Sequence, residues 1–212
     1  MFYRIENIPD EQTMQAVVAG LLPLVPLVRR DKALRYVHLH GRYCCLRTWQ
    51  MLHSLLIEHH LIPASFPLSA LTYTEDAYGK PSFIAAVFAL LAQRSFSNAV
   101  FFSLSHTKNA LAVAVADRPV GIDIEAVVSR QRIDDAAFLD RVMSPDEQSV
   151  IRNSADPCLA FTELWTRKEA LYKAIGSGID LSTLPGILHT PHPYTFTTIH
   201  SKSYACTVAQ KD

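Results

Sequence analysis

The chain has 212 residues, 49% of them hydrophobic, and its 20 basic and 20 acidic side chains cancel. That length allows one large domain or two small ones around a substantial core, and the neutral balance excludes a bulk electrostatic footprint for nucleic acid or for a membrane surface. The four cysteines, Cys44, Cys45, Cys158 and Cys206, contain no Cys-x-x-Cys pair and point to a reducing cytoplasm instead of a disulfide framework.

Taken in chain order, Arg4, Glu6, Asp10 and Glu11 stand where a secretory leader would carry a basic region and an apolar stretch, so no leader is expected. The apolar run 16–28 is interrupted by Pro23 and Pro26 and is too short to span a bilayer. Residues 32–61 carry Leu34, Val37, Leu46, Trp49, Leu52, Leu56 and Leu61 at helical spacing, and Pro63 and Pro67 close that segment. After Tyr78-Gly79-Lys80-Pro81 comes an apolar run, 83–92, which fits helix or strand equally. Stretches 99–105, 111–116 and 120–125 are strand-like, with Asp117-Arg118-Pro119 as the turn between the last two.

Ser144-Pro145-Asp146-Glu147 reads as a helix start, with a serine cap, a proline at the first position and a glutamate three residues after the cap. A second helix starts at Asp156 and Pro157 and ends at Gly176, with Phe161, Leu164, Trp165, Leu171, Tyr172 and Ile175 as its buried stripe. Stretches 195–198 and 204–209 suggest a final hairpin.

Two short words in this order carry chemistry. In Gly121-Ile122-Asp123-Ile124-Glu125, alternation puts the isoleucines on one face and both carboxylates on the other, about 7 Å apart along the strand. Two such acids repel unless a cation sits between them, and magnesium suits the pair, because it takes few carboxylates and completes its shell with water and phosphate oxygens. An exposed strand with two solvated acids fits the same five residues. On the later helix, Glu169 and Lys173 lie one turn apart beside Lys168, which fits a surface ion pair as well as a site.

The order of these words resembles the 4′-phosphopantetheinyl transferases of the larger surfactin or enterobactin type. The resemblance rests on Gly121 to Glu125, on Trp165-x-x-Lys168-Glu169-Ala170-x-x-Lys173-x-x-Gly176-x-Gly178, on Ser105-His106 before an alternating strand, and on Tyr78-Gly79-Lys80-Pro81. It implies an α+β fold of two similar α/β subdomains related by a pseudo-twofold axis, residues 1–117 and 118–212, with the active site in the cleft between them. It also implies Mg²⁺, with Mn²⁺ as an alternative, held by Asp123, Glu125 and Glu169. Coenzyme A is the implied substrate and an apo acyl or peptidyl carrier protein the implied partner, in a monomeric, cytoplasmic enzyme.

The implied reaction moves the phosphopantetheine arm of coenzyme A onto a carrier serine and releases 3′,5′-ADP. Glu169 takes the serine proton, directly or through a metal-bound water, and Lys173 offsets charge on the leaving oxygen. Lys168 is expected on a coenzyme A phosphate. The 3′-phosphate cradle is expected from Arg42, Lys80, Ser105 and His106, with Arg29 and Lys32 near its rim. Segment 126–143, with Arg130, Arg132 and Arg141 among apolar residues, is expected to dock the acidic carrier protein, and an ordinary amphipathic helix is the plain alternative. The competing functions are a non-catalytic coenzyme A or nucleotide-binding regulator and a magnesium-dependent phosphodiesterase.

Overall fold

The computed structural model describes residues 1–92 and 100–212. Strand β1 (Phe2–Asn7) leads into helices α1 (Glu11–Leu21), α2 (Leu27–Leu34) and α3 (Leu39–Glu58). A small hairpin of β2 (Tyr73–Glu75) and β3 (Pro81–Phe83) precedes α4 (Ala85–Ala92), so the apolar run at 83–92 is mainly helical. Then come β4 (Phe101–His106), β5 (Ala110–Ala116) and β6 (Val120–Ala126). The expected strand at 99–105 begins at Ala99, which lies outside the described residues. Helices α5 (Arg130–Ile133), α6 (Ala136–Val142), α7 (Pro145–Asn153) and α8 (Pro157–Ile175) precede a closing hairpin, β7 (Tyr194–His200) and β8 (Tyr204–Lys211). The fold is mixed α+β. Among the described residues no helix is long and apolar enough to cross a membrane.

The one helix expected over 32–61 is two. The chain reverses after Arg35, and the Tyr36 ring folds over Gly41, where a Cβ would sit 2.6 Å from it. Arg42 Nε donates to the Tyr36 carbonyl at 2.9 Å and holds the bend. The expected stripe holds only in the second helix: Leu46, Trp49, Leu52 and Leu56 are buried, while Leu34 and Val37, before and in the bend, are exposed.

Two antiparallel sheets organise the rest, one in the order β1-β5-β4 and the other β6-β8-β7. The residues at 117–119 therefore do not close a β5-β6 hairpin. They carry the chain from the centre of one sheet to an edge of the next. Strand β5 is buried throughout, and its two faces have different tasks. Leu111, Val113 and Val115 join the α3 core of Leu46, Trp49, Leu52 and Leu56. Ala110, Ala112, Ala114 and Ala116 pack with Val120, Ile122 and Ile124, their small side chains letting the second sheet come close.

A row of hydroxyls seals this seam. Ser103, Ser105 and Thr107 alternate along one face of the first sheet, and they accept from the backbone N–H groups of Ile122, Ile124 and Ala126 at 3.0, 3.3 and 3.1 Å. The edge of β6 is thus satisfied by side chains, so its donors are not left bare in a buried seam.

Helix α8 lies against β6 and β8, with Ala170 and Ala174 packed on Ala209. Its ends follow the expected signals. Asp156 accepts from Leu159 N at 3.0 Å, Pro157 opens the helix, and Gly176 closes it at φ 84°. Helix α7 has its capping box, Ser144 and Glu147, on the expected residues.

Candidate active site

Strand β6 and helix α8 build the site between them. The period-two face of β6 carries Asp123 and Glu125, and α8 brings Glu169, so that one ligand oxygen from each lies within 4.8 Å of the others. Asp123 is 1% exposed. Its Oδ1 accepts from Lys173 Nζ at 2.6 Å and from Ser105 Oγ at 2.9 Å. Lys173 also donates to Ser105 Oγ at 3.0 Å. That hydroxyl, which accepts from Ile124 N as well, ties the first sheet to both charged residues.

The electrostatics of this cluster are unbalanced. Asp123 Oδ2 is buried with no hydrogen-bond partner. Burial, and then the Asp123 charge, push Glu125 and Glu169 up to about 7 from an ordinary 4.5. Burial alone would lower Lys173, but Asp123, Glu169 and Glu125 outweigh it and raise its pKa. Three converging carboxylates, one with a bare oxygen, make a donor set for a hard divalent cation. The cation would relieve the orphaned oxygen and the repulsion together.

These shifts fix a pH dependence. Between about 4.5 and 7 the folded chain holds more protons on Glu125 and Glu169 than the unfolded chain does. Without metal, stability should therefore fall as pH rises through that window. His106, whose pKa is lowered by desolvation and by His40, acts in the opposite sense below 6.5, as one group against two. Thermal melts in chelator should show the midpoint falling from pH 5 to 8, by about 2–4 °C for each kcal/mol lost. Added Mg²⁺ should raise it more at pH 8 than at pH 5, and a pH-independent midpoint would contradict the assignment.

On one side of the acids lies a cleft of ≈ 320 Å³, near the small end for ligand pockets, whose walls include Arg29, Lys32, Lys80, His106, Glu169 and Lys173. Lys80 reaches over the α8 terminus and donates to the Ala174 carbonyl at 2.9 Å, and desolvation lowers its pKa. Lys32 pairs with Glu75. His106 faces His40 edge-on at 6.4 Å.

Arg29 is 5% exposed, inside the wall instead of on the rim. Its guanidinium lies 5.0 Å from the Trp49 ring centre and donates to the Cys45 carbonyl and to Thr48 Oγ1 at 2.9 and 3.0 Å. Tyr36, Tyr78 and Tyr172 also line the cleft and were not expected there. Only Tyr78 carried a signal, through its place in the Tyr-Gly-Lys-Pro word.

Two of the expected cradle residues stand elsewhere. Ser105 sits beneath Asp123, and Arg42 holds the Tyr36 carbonyl behind the wall. Lys168 is a clear correction to the expected phosphate contact, because its side chain is 0% exposed. Its ammonium pairs with Glu147 at 2.7 Å and donates to the carbonyls of Val142, Leu184 and Pro185 at 2.9, 2.7 and 3.0 Å. An ammonium has three donors, so these four acceptors leave none for a ligand.

On the other side of the acids is a second hollow of ≈ 280 Å³, lined by Glu125, Val128, Arg132, Phe161, Trp165 and Glu169. Glu169 lines both hollows. The acids thus stand between a basic cleft and an aromatic one, an arrangement suited to bringing a phosphorylated molecule and a second reactant to one metal from two directions.

Comparison with known proteins agrees with this geometry. Residues 119–210, which hold all three acids, match the 4′-phosphopantetheinyl transferase superfamily. The chain is 30% identical to 4′-phosphopantetheinyl transferase psf-1 of Bacillus pumilus over 80% of its length and 66% of the relative's. It is 31% identical to 4′-phosphopantetheinyl transferase gsp of Aneurinibacillus migulanus over 84% of its length and 66% of that protein's. With 4′-phosphopantetheinyl transferase AcpT of Salmonella typhimurium it shares 30% identity over 62% of its own length and 72% of the relative's. The chain belongs to the 4′-phosphopantetheinyl transferase superfamily. It spans just under two thirds of the length of psf-1 and of gsp.

Proposed function

We propose that this chain transfers the 4′-phosphopantetheine arm of coenzyme A to a serine of an apo acyl or peptidyl carrier protein and releases 3′,5′-ADP. The observation that carries the reading is the convergence of Asp123, Glu125, Glu169 and Lys173 between a basic cleft and an aromatic one. Its similarity to three 4′-phosphopantetheinyl transferases supports it.

Asp123, Glu125 and Glu169 would hold Mg²⁺, or Mn²⁺ in its place. The ion supplies charge neutralisation on the pyrophosphate oxygens. Arg29, Lys32, Lys80 and His106 orient the nucleotide end from the cleft walls, with the guanidinium of Arg29 already fixed by Trp49. The serine hydroxyl enters from the aromatic side and attacks the phosphorus that bears the pantetheine. Glu169, the acid that lines both hollows, takes its proton. The bond to the bridging oxygen breaks, that oxygen leaves with 3′,5′-ADP, and Lys173 offsets its charge. Positioning and electrostatics carry the reaction, as phosphoryl-type transfer requires.

Segment 126–143 is the proposed docking surface. Ile133 and Leu139 are buried in the core, leaving Arg130, Arg132 and Arg141 outside to meet an acidic partner. Two halves, 1–117 and 118–212, related by a pseudo-twofold axis are the proposed architecture. A central β5 and a central β8 in matching strand orders, each sheet with a long helix, support it. Superposing one half on the other in a crystal structure checks it. The chain acts as a cytoplasmic monomer in this reading, which cell fractionation and sedimentation at the mass of one chain test.

The deciding experiment incubates the chain with coenzyme A, Mg²⁺ and an apo carrier protein. A carrier mass gain of one phosphopantetheine supports transfer. Cleavage of coenzyme A without the gain supports a phosphodiesterase, and neither supports a binding regulator. In the same assay, Arg130→Glu with Arg132→Glu should raise KM for the carrier and leave KM for coenzyme A alone. An unchanged carrier KM would remove the docking surface from 126–143.

A further inference from the structure

The buried Lys168 and its neighbour one turn on, Tyr172, share an unassigned task. After Gly176 the chain runs through residues 177–183, exposed except for half-buried Gly178, without helix or strand before the turn at Leu184–Gly186. This stretch forms part of the cleft wall through Gly178 and Ile179. Such a loop, having little buried surface of its own, needs tethers to stay in place.

Two of its tethers come from the same face of α8. Tyr172 Oη donates to the Asp180 carbonyl at 3.0 Å and meets Thr183 Oγ1 at 2.8 Å. Lys168 Nζ binds the carbonyls of Leu184 and Pro185, and Glu147 and Val142 hold it from the other side. The 3-10 turn that ends the loop is thereby locked to α7 and α8 together, with Leu184 fully buried beneath it.

We infer that Lys168 and Tyr172 are positioning residues that fasten the 177–187 segment as a fixed wall of the coenzyme A cleft, so that they set affinity for coenzyme A without touching its phosphates. The part of this that concerns coenzyme A rests on the proposed function. The fastening itself does not.

The test is hydrogen exchange along 177–187 together with coenzyme A affinity measured by calorimetry. Tyr172→Phe keeps the ring on the cleft wall and removes only the hydroxyl that holds the loop. It should speed exchange at 180–184 and weaken coenzyme A binding by about 5-fold, the worth of one neutral hydrogen bond. KM for coenzyme A should rise while kcat holds. Lys168→Met alone would strand the buried Glu147 charge and could unfold the chain, so it is paired with Glu147→Leu, which removes both charges. The double variant should remain folded by circular dichroism and exchange faster at 184–187.

Unchanged exchange in both variants would overturn the fastening. Faster exchange with unchanged coenzyme A affinity would overturn the link to the cleft. A wild-type chain that binds no coenzyme A would sink the proposed function instead, and the exchange data would still judge the fastening.

Discussion

Glu169→Gln should slow transfer of phosphopantetheine by about 10²–10⁴-fold at saturating coenzyme A, the usual range for removing a general base. The substitution is nearly isosteric, so the helix and its packing on β6 stay as they are. What changes is the charge: the amide side chain would offer the cation a neutral oxygen and could accept no proton from the serine. The same variant should flatten the metal-free pH dependence of stability, because one of the two carboxyls with a pKa of about 7 is gone. It should also need more Mg²⁺ to reach its maximal thermal midpoint. A single-turnover assay separates these effects, since a ligand defect is overcome at high Mg²⁺ and loss of the base is not. Transfer at the wild-type rate would strip Glu169 of both roles.

How much of this site could be read from the sequence depends on how local each signal is. Strand period alone put Asp123 and Glu125 on one face, and they do converge. Cap chemistry alone set the ends of α8, because a side chain three residues from the first free N–H groups and a glycine at φ 84° are short-range devices. The expected turn at 117–119 lies between two real strands, yet β6 pairs with β8, some 80 residues on, and its other edge is sealed by hydroxyls from β4 and from Thr107 just after it. No local pattern holds that partner choice.

The burial of Lys168 and of Arg29 was hidden for a related reason. A cation reads as exposed from sequence alone, and only the assembled fold shows Glu147 and three carbonyls around the ammonium of one, or Trp49 and Tyr73 around the guanidinium of the other. Burial of a charge is decided by partners from distant elements, and those partners leave no mark at the charge itself.

Gly121 is where these two kinds of information meet, and its replacement by alanine should be nearly as damaging as loss of Glu169. Its backbone is ordinary strand, with none of the positive φ seen at Gly79, Gly176 and Gly178. Conformational freedom is therefore not the reason for glycine. A Cβ at this position would lie 2.0 Å from the Ala170 carbonyl oxygen, 2.5 Å from Ala174 N and 3.0 Å from the Lys173 carbonyl carbon. All three are backbone atoms of α8, so no side chain can swing aside and the helix itself must move away from β6. That helix carries Glu169 and Lys173, while β6 carries Asp123 and Glu125, and the Lys173–Asp123 contact of 2.6 Å spans the same gap. A displacement of about 1 Å at a reacting centre costs on the order of 10²-fold, and overpacking adds about 1–3 kcal/mol of destabilisation. Gly121→Ala should thus lower kcat by about 10²-fold with every metal-binding side chain still present, lower the thermal midpoint, and blunt the stabilisation by Mg²⁺. A variant that transfers at the wild-type rate would mean that β6 and α8 do not set the geometry of the acids by direct backbone contact.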